Sequence, residues 1–202
     1  MELRDALKTR RMTRDFADTD VADDLVGDLV DLASRAPSAG KTQGWSLLVL
    51  RDDARARFWD LSLPADKRES FAWPGLLRAP VIALSFADPE AYVARYSEPD
   101  KAHTGLGAGT DKWGAPYWTI DASMATMSLL LAAHDAGLGA LFFAVFNGAD
   151  EIRRHFGVPE TLQLLGAIAL GHPACVTGGA RRGVSATRAR HRASDIIHAD
   201  RW

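Results

Sequence analysis

The run Met127-Ser128-Leu129-Leu130-Leu131-Ala132-Ala133-His134-Asp135-Ala136-Gly137-Leu138-Gly139-Ala140-Leu141-Phe142-Phe143 decides how the rest of the chain is read. Its first half continues a helical pattern that starts at Pro116 and spreads Ile120, Met124, Met127, Leu130, Leu131 and Ala132 over most of the helix surface. A helix that apolar is buried, inside a domain or in a subunit interface. Gly137-Leu138-Gly139 ends it, and Ala140 to Phe146 follows as a compact apolar strand. Upstream, Val21, Leu25, Leu29 and Leu32, flanked by Val26, Val30 and Ala33, predict an amphipathic helix over 20–36, capped by Thr19 or Asp20 and closed before Pro37. Residues 45–50 and 80–86 read as strands, and 54–61 and 89–96 as helices. Residues 97–114 carry Gly105, Gly107, Gly109 and Gly114 and form a long loop, a length more often functional or mobile than idle. Downstream, a helix over 147–156 stops at Gly157-Val158-Pro159, and 163–170 is a last core strand. No linker composition and no repeat interrupts this order, so residues 1–202 are expected to form a single domain. Helices and strands mix without strict βαβ alternation, which points to the α+β class.

Composition excludes several function classes. Of 202 residues 47% are apolar and 25% charged, as in a globular chain and unlike a disordered one. The net charge of -2 gives no overall attraction to nucleic acid or to an anionic membrane, so any anion site must be local. The single cysteine, Cys175, can build neither an intrachain disulfide nor a multi-cysteine zinc cluster, and it suggests a reducing, cytoplasmic location. The first eight residues are charged throughout and do not read as a secretory signal, and no apolar run approaches the ~20 residues of a membrane span.

The modest net charge conceals a segregation. Eleven of 24 basic residues lie at the two ends: Arg4, Lys8, Arg10, Arg11 and Arg14 at one, Arg181, Arg182, Arg188, Arg190, Arg192 and Arg201 at the other. Between them, residues 15–31 hold Asp15, Asp18, Asp20, Asp23, Asp24, Asp28 and Asp31 and no Lys or Arg, the pattern of a solvated helix face. Taken by charge alone the basic ends are exposed surface; if they meet in the fold they form a compact anion pocket suited to a phosphate.

Several apparent motifs fail on context. Ala39-Gly40-Lys41-Thr42 lacks the earlier glycine of a P-loop, since Arg35 stands there, and it follows a helix instead of a strand. Gly105-x-Gly107-x-Gly109 has neither dinucleotide-binding spacing nor a preceding strand. His103, His134, His155, His172, His191 and His198 form no zinc-protease pair, no metal is expected, and no Gly-x-Ser-x-Gly elbow is present.

Four segments in order carry more information than any one alone. They are Arg10-Arg11-Met12-Thr13-Arg14-Asp15-Phe16, then Ala36-Pro37-Ser38-Ala39-Gly40-Lys41-Thr42-Gln43-Gly44-Trp45, then Ala136-Gly137-Leu138-Gly139, then Ala169-Leu170-Gly171-His172-Pro173 with the arginine-rich tail. Together they resemble the nitroreductase family of FMN-dependent oxidoreductases, over nearly the whole chain to Arg201-Trp202. The resemblance implies a central, mainly antiparallel sheet surrounded by helices in a homodimer, with FMN as cofactor and NADPH or NADH as electron donor.

It also implies roles for particular residues. Arg10, Arg11, Met12 and Arg14 would form the phosphate-binding segment, joined by Arg188 and Arg190 before Asp195-Ile196-Ile197-His198. The Pro37-Ser38-Ala39 turn, with Lys41 and Gln43, would reach the flavin of the partner subunit, and Gly137, Leu138 and Gly139 would let backbone approach the N5 side of the ring. Lys41 stands where the family usually has asparagine, and Met12 at a common serine position; a lysine ammonium beside the N1 and C2 carbonyl edge would raise the flavin potential, the alternatives being that it swings to solvent or fills part of the site. Hydride would pass from the donor to the flavin and then to an electron-poor acceptor such as a nitroaromatic or a quinone, in a ping-pong scheme. No side chain need act as acid or base, because the cofactor carries the chemistry. Tyr92, Tyr96, Trp113, Tyr117 and Trp118, around the long loop, either wall the substrate pocket or simply pack together. Alternatives are a flavin-sequestering protein without turnover, and a specialised member such as a flavin-fragmenting benzimidazole synthase or a reductive dehalogenase. A nucleic-acid-binding reading rests on the arginines alone and lacks interleaved aromatics or a recognition-helix pattern.

Overall fold

The computed structural model describes residues 1–174 and 187–202. Cys175, Arg181 and Arg182 lie outside the described residues. Among the described residues the helices are α1 (Leu3–Thr9), α2 (Asp23–Ala33), α3 (Asp52–Ser62), α4 (Ala65–Arg68), α5 (Pro89–Tyr96), α6 (Tyr117–Asp135) and α7 (Ala149–His155). The strands are β1 (Trp45–Leu50), β2 (Val81–Ala87), β3 (Gly139–Phe143) and β4 (Gln163–Gly171), and they form one sheet in the order β1-β2-β4-β3. Every neighbouring pair is antiparallel, which gives the α+β class expected from the unalternated element order.

Period-two alternation sorts the two inner strands between two cores. Ile82, Leu84 and Phe86 of β2, with Ala167 and Ala169 of β4, face a cluster built with Phe58 and Trp59 of α3 and Ile152 of α7. Val81 and Ala83, with Ile168 and Leu170, face the opposite cluster, which contains Leu29 and Ala33 of α2 and Leu129, Leu130 and Ala133 of α6. All of β2 is buried, because helices cover both faces of the sheet.

Boundaries shift for local reasons. Helix α2 begins at Asp23, not 20, since Asp20 Oδ1 accepts from the adjacent Val21 N–H at 2.8 Å and so shapes a turn instead of a cap. Strand β3 stops at Phe143, short of the expected 146, where its pairing with β4 ends. Helix α1 is missing from the sequence-based expectation because a heptapeptide with Ala6 as its buried residue has no apolar periodicity to read. The loop over 97–114 contains three short 3-10 turns, Ala102–Thr104, Leu106–Ala108 and Thr110–Lys112. The aspartate-rich stretch is a solvated surface as expected: Asp20 and Asp23 flank Arg51 at 3.2 and 2.9 Å, and Asp15 pairs with Arg78.

Candidate functional site

Helix α1 delivers the chain to the sheet at Arg10, and residues 10–16 then run extended across the end where β3 begins and β4 finishes. Thr13 N–H donates to Ala140 O at 2.9 Å, Met12 bridges to Ala140 and Phe16 to Pro173. Gly139 makes this crossing possible, since a Cβ there would sit 2.6 Å from Thr13 Oγ1. The Thr9 hydroxyl donates to Asp5 O at 2.6 Å and accepts from His134 Nε2 at 2.7 Å, so the end of α1 is tied to the end of α6.

This crossing leaves a cleft of about 240 Å3 whose walls include Thr9, Arg10, Arg11, Thr13, Leu138 and Gly139. Arg10 Nη1 is buried there without a hydrogen-bond partner. Burial first, and then the positive charges of Arg190 and Arg11, lower the Arg10 pKa from its ordinary value. The exposed Arg190 therefore acts on Arg10 electrostatically from the far end of the sequence. Arg11 directs Nη1 to Lys8 O at 2.7 Å and Arg10 O at 3.0 Å. Among the described residues no carboxylate pairs with Arg10, Arg11 or Arg190. A buried charged donor without an acceptor costs more than the roughly 1–3 kcal/mol of a neutral one, and an anion such as the phosphate of FMN removes that cost.

The other members of the segment part company. Met12 does not enter the cleft; its side chain packs against both apolar cores. Arg14 turns to the opposite side, where its guanidinium lies 5.1 Å from the Trp73 ring centroid. There it borders a cavity of about 340 Å3 lined by aromatic and apolar groups that include Trp59, Phe71, Trp73, Phe143 and Val145. That cavity has no signal in the sequence, because it collects residues from four separate segments. Arg188 is exposed, and none of the described contacts ties it to the cleft. Gly137 has open space around it, while Leu138 is core.

The second group of expected residues lies at the other end of α6. Pro37, Ser38 and Ala39 lead into a tight turn in which Gly40, Lys41 and Gln43 all have left-handed backbone, with φ of 61°, 55° and 57°. Ala39 N–H donates to Asp121 Oδ2 at 2.7 Å, and Tyr92 OH donates to the same oxygen at 2.8 Å. Arg95 Nε donates to Gly40 O at 2.9 Å, and Gln43 N–H to Ser38 Oγ at 3.0 Å. Burial, and then the Asp121 carboxylate, push the Tyr92 hydroxyl well above the ordinary phenol range. Asp121 escaped the sequence reading, although a lone carboxylate on the apolar run of α6 was the available signal. Lys41 is exposed and has no ion-pair partner among the described residues.

The aromatic residues of the long loop gather around Trp113, which meets Tyr96 at 4.6 Å, Tyr92 and Tyr117 at 5.7 Å and Trp118 at 6.2 Å between ring centroids. Trp113 Nε1 donates to Leu106 O at 3.1 Å, and Trp118 Nε1 to Gln163 Oε1 at 3.0 Å. Tyr92 is 1% exposed, and with Asp121 it lines a small cavity of about 50 Å3 beside Pro37, Ser38 and Gln43. Tyr117 instead begins an exposed stripe along α6, followed at alternating steps of three and four by Ile120, Met124 and Met127. No described segment of the chain covers that stripe. Among the described residues no helix is long and apolar enough to cross a membrane.

Residues 7–172 match the family model described as the nitroreductase family. A relative from Methanothermobacter thermautotrophicus, provisionally named NADH dehydrogenase/NAD(P)H nitroreductase, is 29% identical over 86% of this chain and 78% of its own length. A Thermus thermophilus protein named NADH dehydrogenase is 26% identical over 86% of this chain and 88% of its own length. Among solved structures, a provisionally named nitroreductase from Exiguobacterium sibiricum in complex with FMN superposes with a TM-score of 0.73 at 17% identity, covering 98% of this chain and 97% of that one.

Proposed function

This chain belongs to the nitroreductase family of oxidoreductases, and we infer that it is an FMN-dependent enzyme that passes electrons from NADH or NADPH to an electron-poor acceptor such as a nitroaromatic or a quinone. The observation that carries the cofactor assignment is the buried, unpartnered Arg10 Nη1 in a cleft that also gathers the charges of Arg11 and Arg190. FMN, when bound, would supply the hydride chemistry. Arg10, Arg11 and Arg190 would hold its phosphate.

One chain then carries only half of each site. From Asp121, which holds the 37–39 turn, to His134, beside the arginine cleft, α6 rises about 20 Å at 1.5 Å per residue. The ribityl chain of one flavin does not span that gap. A second copy docked through the stripe of Ile120, Met124 and Met127 would bring its Pro37-Ser38-Ala39 turn, with Lys41 and Gln43, to the flavin of the first. A homodimer with two equivalent sites follows, and an exposed apolar stripe of this kind marks an interaction surface.

The test is the visible spectrum of the purified dimer. A flavin band that bleaches with NADH or NADPH and returns on adding a quinone or nitroaromatic is the expected result. A colourless protein that cannot be reconstituted with FMN would overturn the assignment, and a flavin that resists reduction would leave a binding protein in place of an enzyme.

A further inference from the structure

We propose that Asp121 and Tyr92 form a buried clamp whose role is to position the flavin-contacting turn, a proposal that rests on the reading of the site above. A carboxylate on the apolar run of α6 is costly to bury, and a leucine would fill the space without that cost. What the carboxylate supplies is one oxygen, Oδ2, that accepts from Ala39 N–H at 2.7 Å and from Tyr92 OH at 2.8 Å. Ala39 opens the turn, so its N–H has no helical partner and Asp121 is its acceptor.

The far end of the turn is gripped by the same tyrosine. A Cβ at Gly44 would lie 2.7 Å from Tyr92 Cε2, so the phenol ring packs flat where glycine alone leaves room. Between the two grips the backbone is left-handed at Gly40, Lys41 and Gln43, and such residues persist only where the surroundings over-determine them. Arg95 adds its bond to Gly40 O, and Trp113 packs against both Tyr92 and Tyr96. The aromatic loop therefore acts through Tyr92 on the turn. Asp121 and Tyr92 would act as positioning residues, through their bonds to the turn that carries Pro37, Ser38 and Ala39.

The experiment measures the affinity of the apo-dimer for FMN and for riboflavin, which lacks the phosphate, by flavin fluorescence titration. Asp121→Ala is expected to weaken both ligands at least tenfold by the same factor, with the dimer mass unchanged. Asp121→Asn, which keeps an acceptor oxygen, is expected to recover most of the loss. Tyr92→Phe keeps the ring and is expected to weaken both ligands about threefold, so the clamp stays testable if Asp121→Ala fails to fold. Unchanged affinities in folded Tyr92→Phe, or in folded Asp121→Ala, would overturn the clamp, as would a loss confined to FMN. A wild-type dimer that binds neither ligand would overturn the reading of the site itself.

Discussion

The two ends of α6 are built in opposite ways. At the Asp121 end the backbone and side chains satisfy one another: carboxylate, phenol, guanidinium and hydroxyl all have partners within 3.0 Å. At the His134 end Asp135 is taken by the Met1 amine, none of Arg10, Arg11 and Arg190 pairs with a carboxylate among the described residues, and Arg10 Nη1 is buried without an acceptor. Satisfied groups hold a shape, whereas unsatisfied buried donors add nothing to the fold and are retained where something else binds. On the proposed reading the saturated end presents a fixed surface to a partner, and the deficient end takes an anion.

The largest test of this contrast separates the ends from each other's partners. Replacing Ile120 and Met124 together by glutamate should give a monomeric mass in sedimentation and reduce FMN affinity by more than a hundredfold, because each arginine cleft loses the opposing turn. A wild-type monomer that binds FMN tightly would break the two-chain site. Next in size, Arg10→Ala should cost FMN about 1.5 kcal/mol or more, roughly tenfold, as expected for a lost charge-assisted hydrogen bond. Riboflavin affinity should not change, and the apo-protein should melt no lower, since removing an unpartnered cation relieves repulsion from Arg11 and Arg190. A lower apo melting temperature would make Arg10 structural and erase the contrast.

A smaller effect is expected at Lys41, whose exposed ammonium lies on the fixed turn. Lys41→Asn should lower the flavin midpoint potential by about 20 mV, the two-electron equivalent of roughly 1 kcal/mol. An unchanged potential would place the ammonium away from the ring. The smallest concerns the outer support of the turn, where Arg95 bonds both carboxylate oxygens of Asp100 at 2.8 Å. The Asp100 carboxyl is held down to about 2, chiefly by that hydrogen bond. Its folded value lies below the ordinary one, so the pair contributes fully above the ordinary carboxylate range and is lost as pH falls through about 2. A carbon-detected NMR titration should show this midpoint, returning towards 3.8 in Arg95→Gln.

Much of this was legible before the fold was known. The helical run of α6, its glycine stop and the start of the strand after it lie within a residue of their expected places, though the strand ends three residues early, because hydrophobic periodicity is a property of neighbouring residues. The packing of Met12 is illegible for the converse reason: its neighbours are arginines and a threonine, yet its own side chain packs against the two cores. Asp121 was visible as a carboxylate on an apolar helix, but not its partners, Ala39 and Tyr92, which lie far away in sequence.

The sequence by itself determined the α+β class, the positions of its strands and main helices, and a family likeness carried by ordered short segments. These depend on local spacing and on residue types that keep their chemistry wherever they are placed. Only the tertiary structure decided that the charge of Arg190 acts on Arg10, that Arg14 leaves the cleft Arg10 enters, and that the turn and the cleft stand about 20 Å apart along one helix. Those facts follow from packing between distant segments, which sets the direction of each side chain and has no counterpart in linear order.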